Sequence, residues 1–187
     1  MSSKPKFKLL PALDNVQIDD FFQNWVQKPG YHPCICKDEL KHLKPQQLFC
    51  IINSQPTTYK GSDRHWTMIY LIDPVYAIVF NSYGLLVDDA ILDYVKKVAK
   101  IYDLQIITED TQLQREDSDS CGWFCMFIIM KLLSGETFSQ ALKHLHPIKR
   151  DVDTNNYNEK YLYNYFKPIL PLILGKTSTN KRKRKRN

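Results

Sequence analysis

From Cys121 to Leu133 the chain reads Cys-Gly-Trp-Phe-Cys-Met-Phe-Ile-Ile-Met-Lys-Leu-Leu, with no charged side chain before Lys131. A surface helix keeps one polar face, whereas a helix apolar all round has to be enclosed by protein. This run therefore predicts a central helix that the rest of the chain must cover. It falls short of the roughly 20 apolar residues that span a bilayer, so no membrane association is expected. The N-terminus carries lysines but no apolar stretch of a secretory signal, so export is not expected either.

The surroundings of that helix are legible in outline. Leu48–Ile52, His65–Ile72, Tyr76–Phe80 and Leu104–Thr108 read as strands. They are apolar without clean alternation, the mark of interior strands covered on both faces. Asp88–Ile101 reads as an amphipathic helix burying Ile91, Leu92, Val95, Val98 and Ala99. Further helices are expected over Asp14–Trp25, with Ile18, Phe21, Phe22 and Trp25 on one face, and over Phe138–Leu145 and Tyr157–Phe166. Pro168–Leu174 is expected to pack as a short apolar piece. Residues 31–46 look irregular, with a helical turn near Asp38–Leu43, and residues 1–13 look like a loosely held arm. The expected class is α+β: a small central mixed sheet with helices on both sides and Cys121 at the N-terminus of the central helix. A length of 187 residues suits one domain, assigned to residues 1–175.

The net charge is +6, and the run Lys181-Arg182-Lys183-Arg184-Lys185-Arg186 supplies it. Without that run the acidic and basic side chains balance, so the fold as a whole is not a nucleic-acid platform. Residues 176–187 are expected to be a disordered basic tail that binds DNA or directs nuclear entry; a merely solubilising end is the plainer reading. Five cysteines, at 34, 36, 50, 121 and 125, are an odd count and read as free thiols. Cys34, Cys36 and His32, with Cys50 or His42 as a further ligand, have poor spacing for zinc, and no metal site is expected.

The chemistry gathers at Cys121. Good helix-capping residues precede it, and a thiol at a helix N-terminus feels the positive end of the macrodipole, which favours thiolate. Gly122 lets a substrate backbone come close. His65 opens a strand after a polar loop, and Asn81 closes the next one. Adjacent strands can set the two side by side, where an amide oxygen can hold the imidazole N–H. The side-chain amide of Gln114, with the backbone N–H of Cys121, can serve an oxyanion, and Gln112 is its rival. Singly, each residue has an ordinary structural explanation. The ordered set His65, Asn81, Gln114, Cys121 is harder to dismiss.

Leu48–Asn53, Arg64-His65-Trp66, Phe80-Asn81-Ser82-Tyr83-Gly84 and Gln114–Cys125 together resemble the adenovirus-type cysteine proteases (adenains), relatives of the SUMO-specific and other ubiquitin-like proteases. The resemblance covers residues 45–130, and the Gln–Cys spacing favours the adenain branch. It implies a papain-like/adenain-like fold and a cysteine endopeptidase. Cys121 is then nucleophile, His65 base, Asn81 orienter, Gln114 oxyanion donor, and Trp66 packs over the site. It implies protein substrates, viral or mobile-element structural proteins matured in the virion or host nucleus, and a monomer. No cofactor is required, though DNA or a peptide can act as activator in the resembled family. The alternatives are a protease of ubiquitin-like conjugates, an inactive binding module of the same fold, and a DNA-binding protein driven by its tail. One departure stands out: the family usually carries Asp or Glu where this chain has Asn81. Asp63 and Asp73 are nearby acids that can stand in.

Overall fold

A computed structural model describes residues 10–61, 64–85, 87–148 and 157–175. Five strands form one mixed sheet in the order β1-β2-β3-β4-β5: Ile35–Cys36, Phe49–Asn53, Trp66–Tyr70, Tyr76–Phe80 and Gln105–Thr108. The central pairs, β2 with β3 and β3 with β4, are antiparallel, whereas β1 and β5 add in parallel at the edges.

The unbroken apolar strands have the expected cause. Phe49, Ile51, Met68, Tyr70, Ile78 and Phe80 point to one core; Cys50, Ile52, Ile69, Ala77 and Val79 point to another on the opposite face. Helix α2 (Asp89–Tyr102) covers the second face with Ile91, Tyr94, Val95, Val98 and Ala99. It starts because the Asp88 side chain accepts the Ala90 N–H, and it stops where Asp103 turns left-handed at φ 55°. Helix α3 (Cys121–Leu133) lies against the first face with its first nine residues all buried. Around it pack α1 (Asn15–Asp20), α4 (Phe138–Leu142), α5 (Tyr157–Phe166) and α6 (Leu170–Ile173).

Three expectations change. The expected arm is not loose over residues 10–13, where Leu10 and Leu13 are buried. The carbonyls of Pro11 and Leu13 accept the indole N–H groups of Trp123 and Trp66 at 2.7 and 2.9 Å. The helix expected over Asp14–Trp25 widens into π winding over Phe21–Val26, and Gln27 bonds back five residues to Phe22. That change of period buries Phe21 and Phe22 but turns Trp25 outward, 54% exposed. Finally, the stretch 31–46, expected to be irregular apart from a helical turn, also contains strand β1; the turn expected near Asp38–Leu43 is present as a 3₁₀ helix over Lys37–His42.

Candidate active site

The antiparallel pairing of β3 and β4 brings the start of one strand beside the end of the other. His65 immediately precedes β3, and its carbonyl is held by the Ser54 N–H at 2.9 Å. Asn81 immediately follows β4. Across that short gap His65 Nε2 lies 2.7 Å from Asn81 Oδ1.

The direction of this bond can be settled. Asn81 Oδ1 also accepts the Tyr83 backbone N–H at 3.0 Å, and Asn81 Nδ2 donates to the Leu85 carbonyl at 3.4 Å. The amide is thus fixed with oxygen toward the imidazole, so Nε2 must carry the proton. The other ring nitrogen, Nδ1, is then unprotonated. It is buried and makes no hydrogen bond in the structure, not even with the Cys121 thiol. Burial also pulls the His65 pKa down, against the hydrogen bond it donates to Asn81, so the resting imidazole is neutral.

Cys121 opens α3, and with His65, Trp66 and Tyr83 it lines one cavity of about 360 Å³. Its thiol pKa does not fall as the helix N-terminus alone suggests: burial raises it to about 11. The Trp66 and Gly122 amides work in the opposite direction, and Asp119 adds to the rise. The resting pair is therefore thiol and neutral imidazole.

Trp66 does pack at the site, 4% exposed. A Cβ on Gly122 would sit 3.2 Å from Trp66 Cδ1 and 3.3 Å from Leu13 Cβ. Close packing of the first turn against Trp66 and the arm thus disfavours a larger residue there, apart from any approach by substrate.

Gln114 is fully buried behind Tyr83 and Ser118 and does not line the cavity that holds Cys121. Its Oε1 accepts from Ser82 Oγ at 2.6 Å, while Nε2 donates to the Ser118 carbonyl at 2.6 Å and to the Tyr83 hydroxyl at 3.2 Å. Both amide hydrogens are therefore engaged, and serving an oxyanion requires one of them to turn away. The rival Gln112 donates to the Gln114 carbonyl and so supports it.

Two residues escaped the sequence reading. Tyr83 stacks on His65 with ring centroids 4.7 Å apart, and its hydroxyl donates to the Ser118 carbonyl at 3.3 Å. Its place two residues after Asn81 was the only available signal. Glu159 of α5 is 1% exposed and contacts the hydroxyls of Ser118 and Ser120, just before Cys121.

Asp73 cannot stand in for Asn81. It lies at the far end of β4, where its carboxylate accepts the Val75 and Tyr76 N–H groups. Asp63 lies outside the described residues, as does the basic run Lys181, Arg182, Lys183, Arg184, Lys185 and Arg186. Cys125 is buried behind the site and donates to the Trp66 carbonyl at 3.4 Å, and its thiol is held well above its ordinary pKa. Among the described residues no three His, Cys, Asp or Glu side chains are placed to hold a metal ion.

No protein-family model matches the chain, and no curated protein matches it in sequence. Solved structures do match in fold. The ASFV pS273R protease superposes with a TM-score of 0.56 at 16% identity, over 81% of this chain and 65% of that one. The chain thus spans just under two thirds of that protease. ChlaDub1 from Chlamydia trachomatis superposes with a TM-score of 0.56 at 13% identity, over 92% of this chain and 96% of its own. At such identities the likeness is one of fold. It bears out the α+β protease fold that the resemblance implied, and it does not single out the adenovirus-type branch.

Proposed function

We propose that this chain is a cysteine endopeptidase in which Cys121 is the nucleophile and His65 the base. One observation carries the reading. Asn81 fixes the proton on Nε2, which leaves Nδ1 bare and buried on a side chain that lines the same cavity as Cys121.

The chemistry follows from that tautomer. A substrate carbonyl enters the cavity, and the Cys121 S–H proton passes to Nδ1. The sulfur attacks the carbonyl carbon, and the oxyanion takes hydrogen bonds from the Cys121 N–H and the Gln114 amide. The imidazolium then gives its proton to the leaving amine. Water, deprotonated by the same nitrogen, hydrolyses the thioester and restores the thiol. Asn81 orients the ring throughout without neutralising the imidazolium, so the ion pair forms only in the presence of substrate.

For substrates we infer viral or mobile-element structural proteins, cut during virion maturation at small-residue sites. The adenain-like order of His65, Asn81, Gln114 and Cys121 supports this, and the basic run at 181–186 fits action in the host nucleus or virion, with DNA as a guide or activator. A second reading, cleavage of ubiquitin-like conjugates, draws on the nearly end-to-end likeness to ChlaDub1. Incubation of the protein with structural-protein peptides and with Gly-Gly-ending ubiquitin-like fusions separates the two. Cys121→Ala should abolish all turnover. A thiol-reactive probe that labels Cys121 no better than a denatured control would leave only a binding module. Deletion of residues 181–186 should weaken DNA binding and nuclear entry, and an unchanged result for both would remove the role of the tail.

A further inference from the structure

Glu159 is a buried titratable group that the proposed mechanism does not use. It lies on α5, 1% exposed, against the turn that delivers Cys121. Its Oε1 is 2.6 Å from Ser118 Oγ and 2.8 Å from Ser120 Oγ, and its Oε2 is 2.8 Å from Ser120 Oγ. The two hydroxyls are 2.7 Å from each other.

Four short contacts join this cluster, and with Glu159 ionised the two serine hydroxyls supply only two hydrogens for them. Each serine hydroxyl has one hydrogen to give. If both go to the carboxylate, the short Ser118–Ser120 contact brings lone pair against lone pair. If Ser120 instead donates to Ser118, its contacts with the carboxylate hold no hydrogen. A proton on Oε2 supplies a third hydrogen: Oε2–H donates to Ser120, Ser120 to Ser118, and Ser118 back to Oε1, so that of the four contacts only that between Ser120 and Oε1 carries none. Every member of that ring gives one hydrogen bond and accepts at least one, and Ser118 Oγ also accepts the Ser120 backbone N–H at 3.3 Å.

We propose that Glu159 is a positioning residue for Cys121, held as a neutral carboxylic acid that closes a hydrogen-bond ring with Ser118 and Ser120. The ring grips the turn on both sides. Ser120 caps α3 and its carbonyl accepts the Trp123 and Phe124 N–H groups. The Ser118 carbonyl accepts from Gln114 and Tyr83, the partners of the oxyanion site and the imidazole. Neutrality has a second effect, because an ionised carboxyl at this place would cancel the positive end of α3 that favours a thiolate at Cys121. The charged and titratable groups around Glu159 are Arg115 and Asp117 on the preceding loop and Tyr83 across the site. Arg115 favours the ionised form but is itself paired with Asp117 at 2.6 Å, and burial acts the other way as the dominant influence.

The role of Glu159 in turnover rests on the protease reading, but its protonation state can be measured independently. In the full chain with ¹³C-labelled glutamate carboxyls, the Glu159 resonance, assigned by its loss in Glu159→Gln, should stay at the protonated position at pH 7. Titration together with exposed glutamates, near pH 4.3, overturns the proposal. Glu159→Gln keeps one donor and one acceptor, so its pH profile for Cys121 alkylation should superpose on wild type. A profile moved to lower pH would mean that a negative charge had been removed, which also overturns it. Glu159→Ala should slow alkylation about tenfold, and an unchanged rate denies the positioning role. Should wild type show no peptidase turnover, the protease reading falls and these readouts still stand.

Discussion

The phenol ring of Tyr83 lies against the imidazole of His65, with planes 24° from parallel, while the backbone N–H of Tyr83 holds the oxygen of Asn81. One residue thus fixes both the imidazole and the amide bonded to it. Its hydroxyl reaches on to Gln114 and Ser118.

Tyr83→Phe keeps the stack and loses the hydroxyl. It should lower kcat about tenfold with little change in KM, because an interaction realised around the oxyanion is lost. Tyr83→Leu also opens the imidazole to water. Since burial holds the His65 pKa down, hydration should bring it back up, and the acid limb of the activity profile should move to higher pH. Imidazole NMR titration of both variants checks this, with the shift expected in Tyr83→Leu alone.

Asn81→Ala should remove the restraint on the His65 tautomer and lower kcat/KM about 100-fold. Asn81→Asp should act in the opposite direction on the base. A carboxylate beside Nε2 stabilises the imidazolium, so the His65 pKa should rise by at least about one unit, worth about 1.4 kcal/mol. Cys121 alkylation should then begin at lower pH than in wild type. An unmoved profile in Asn81→Asp would show that Asn81 does not govern the base.

Stability should fall at both ends of the pH range. The folded His65 pKa lies below its ordinary value, so between the two the unfolded chain binds more protons. Stability is then full above about pH 6.5 and declines as pH drops below it. Cys121 has the opposite sign. Its folded pKa is raised to about 11 from 9.0, so the folded chain keeps a proton that the unfolded chain loses, and stability declines as pH rises through that window. Urea titrations across pH should show both slopes, and Cys121→Ser should make the alkaline one shallower without removing it, because burial also raises the thiols of Cys34, Cys50 and Cys125.

Two glycines should fail in different ways. Gly84 has φ +63°, and a Cβ there would lie 2.4 Å from the Asp110 carbonyl oxygen and 2.5 Å from the Thr111 carbonyl carbon. Gly84→Ala should therefore displace the Asn81–Gly84 turn and remove activity as well as stability. The tight contacts at Gly122 are with side chains, so Gly122→Ala should cost about 1–3 kcal/mol of overpacking. Thermal unfolding of the two variants, with activity in parallel, tests the contrast.

The central helix and the strands flanking the site were legible because their signals are strong and local. The continuous apolar run of α3 admits one placement, and the β3–β4 hairpin makes neighbours of residues 65 and 81. What stayed hidden depends on distant partners or competing energies. Nothing local in Leu10–Leu13 reveals that two tryptophans will bond its carbonyls. The π winding after Asp20 defeats a count at helical period. The acidity of Cys121 was misjudged because the helix dipole is visible in sequence, whereas the depth of burial that outweighs it is not. Glu159 sits in a tyrosine-rich helix whose sequence gives no hint of the two serines opposite.

The clasp between the arm and the two tryptophans also bears on when the cleft can exist. The contact between Pro11 and Trp123 joins positions 112 residues apart, and that between Leu13 and Trp66 joins positions 53 apart. Such long-range closures come late in folding, since loop entropy opposes them until the core is in place. One wall of the cleft is therefore missing until the chain has been made well past α3 and has folded back on its own beginning. A polypeptide still emerging from the ribosome would carry Cys121 without a finished cleft around it, and any chemistry at that thiol would wait for the arm to close.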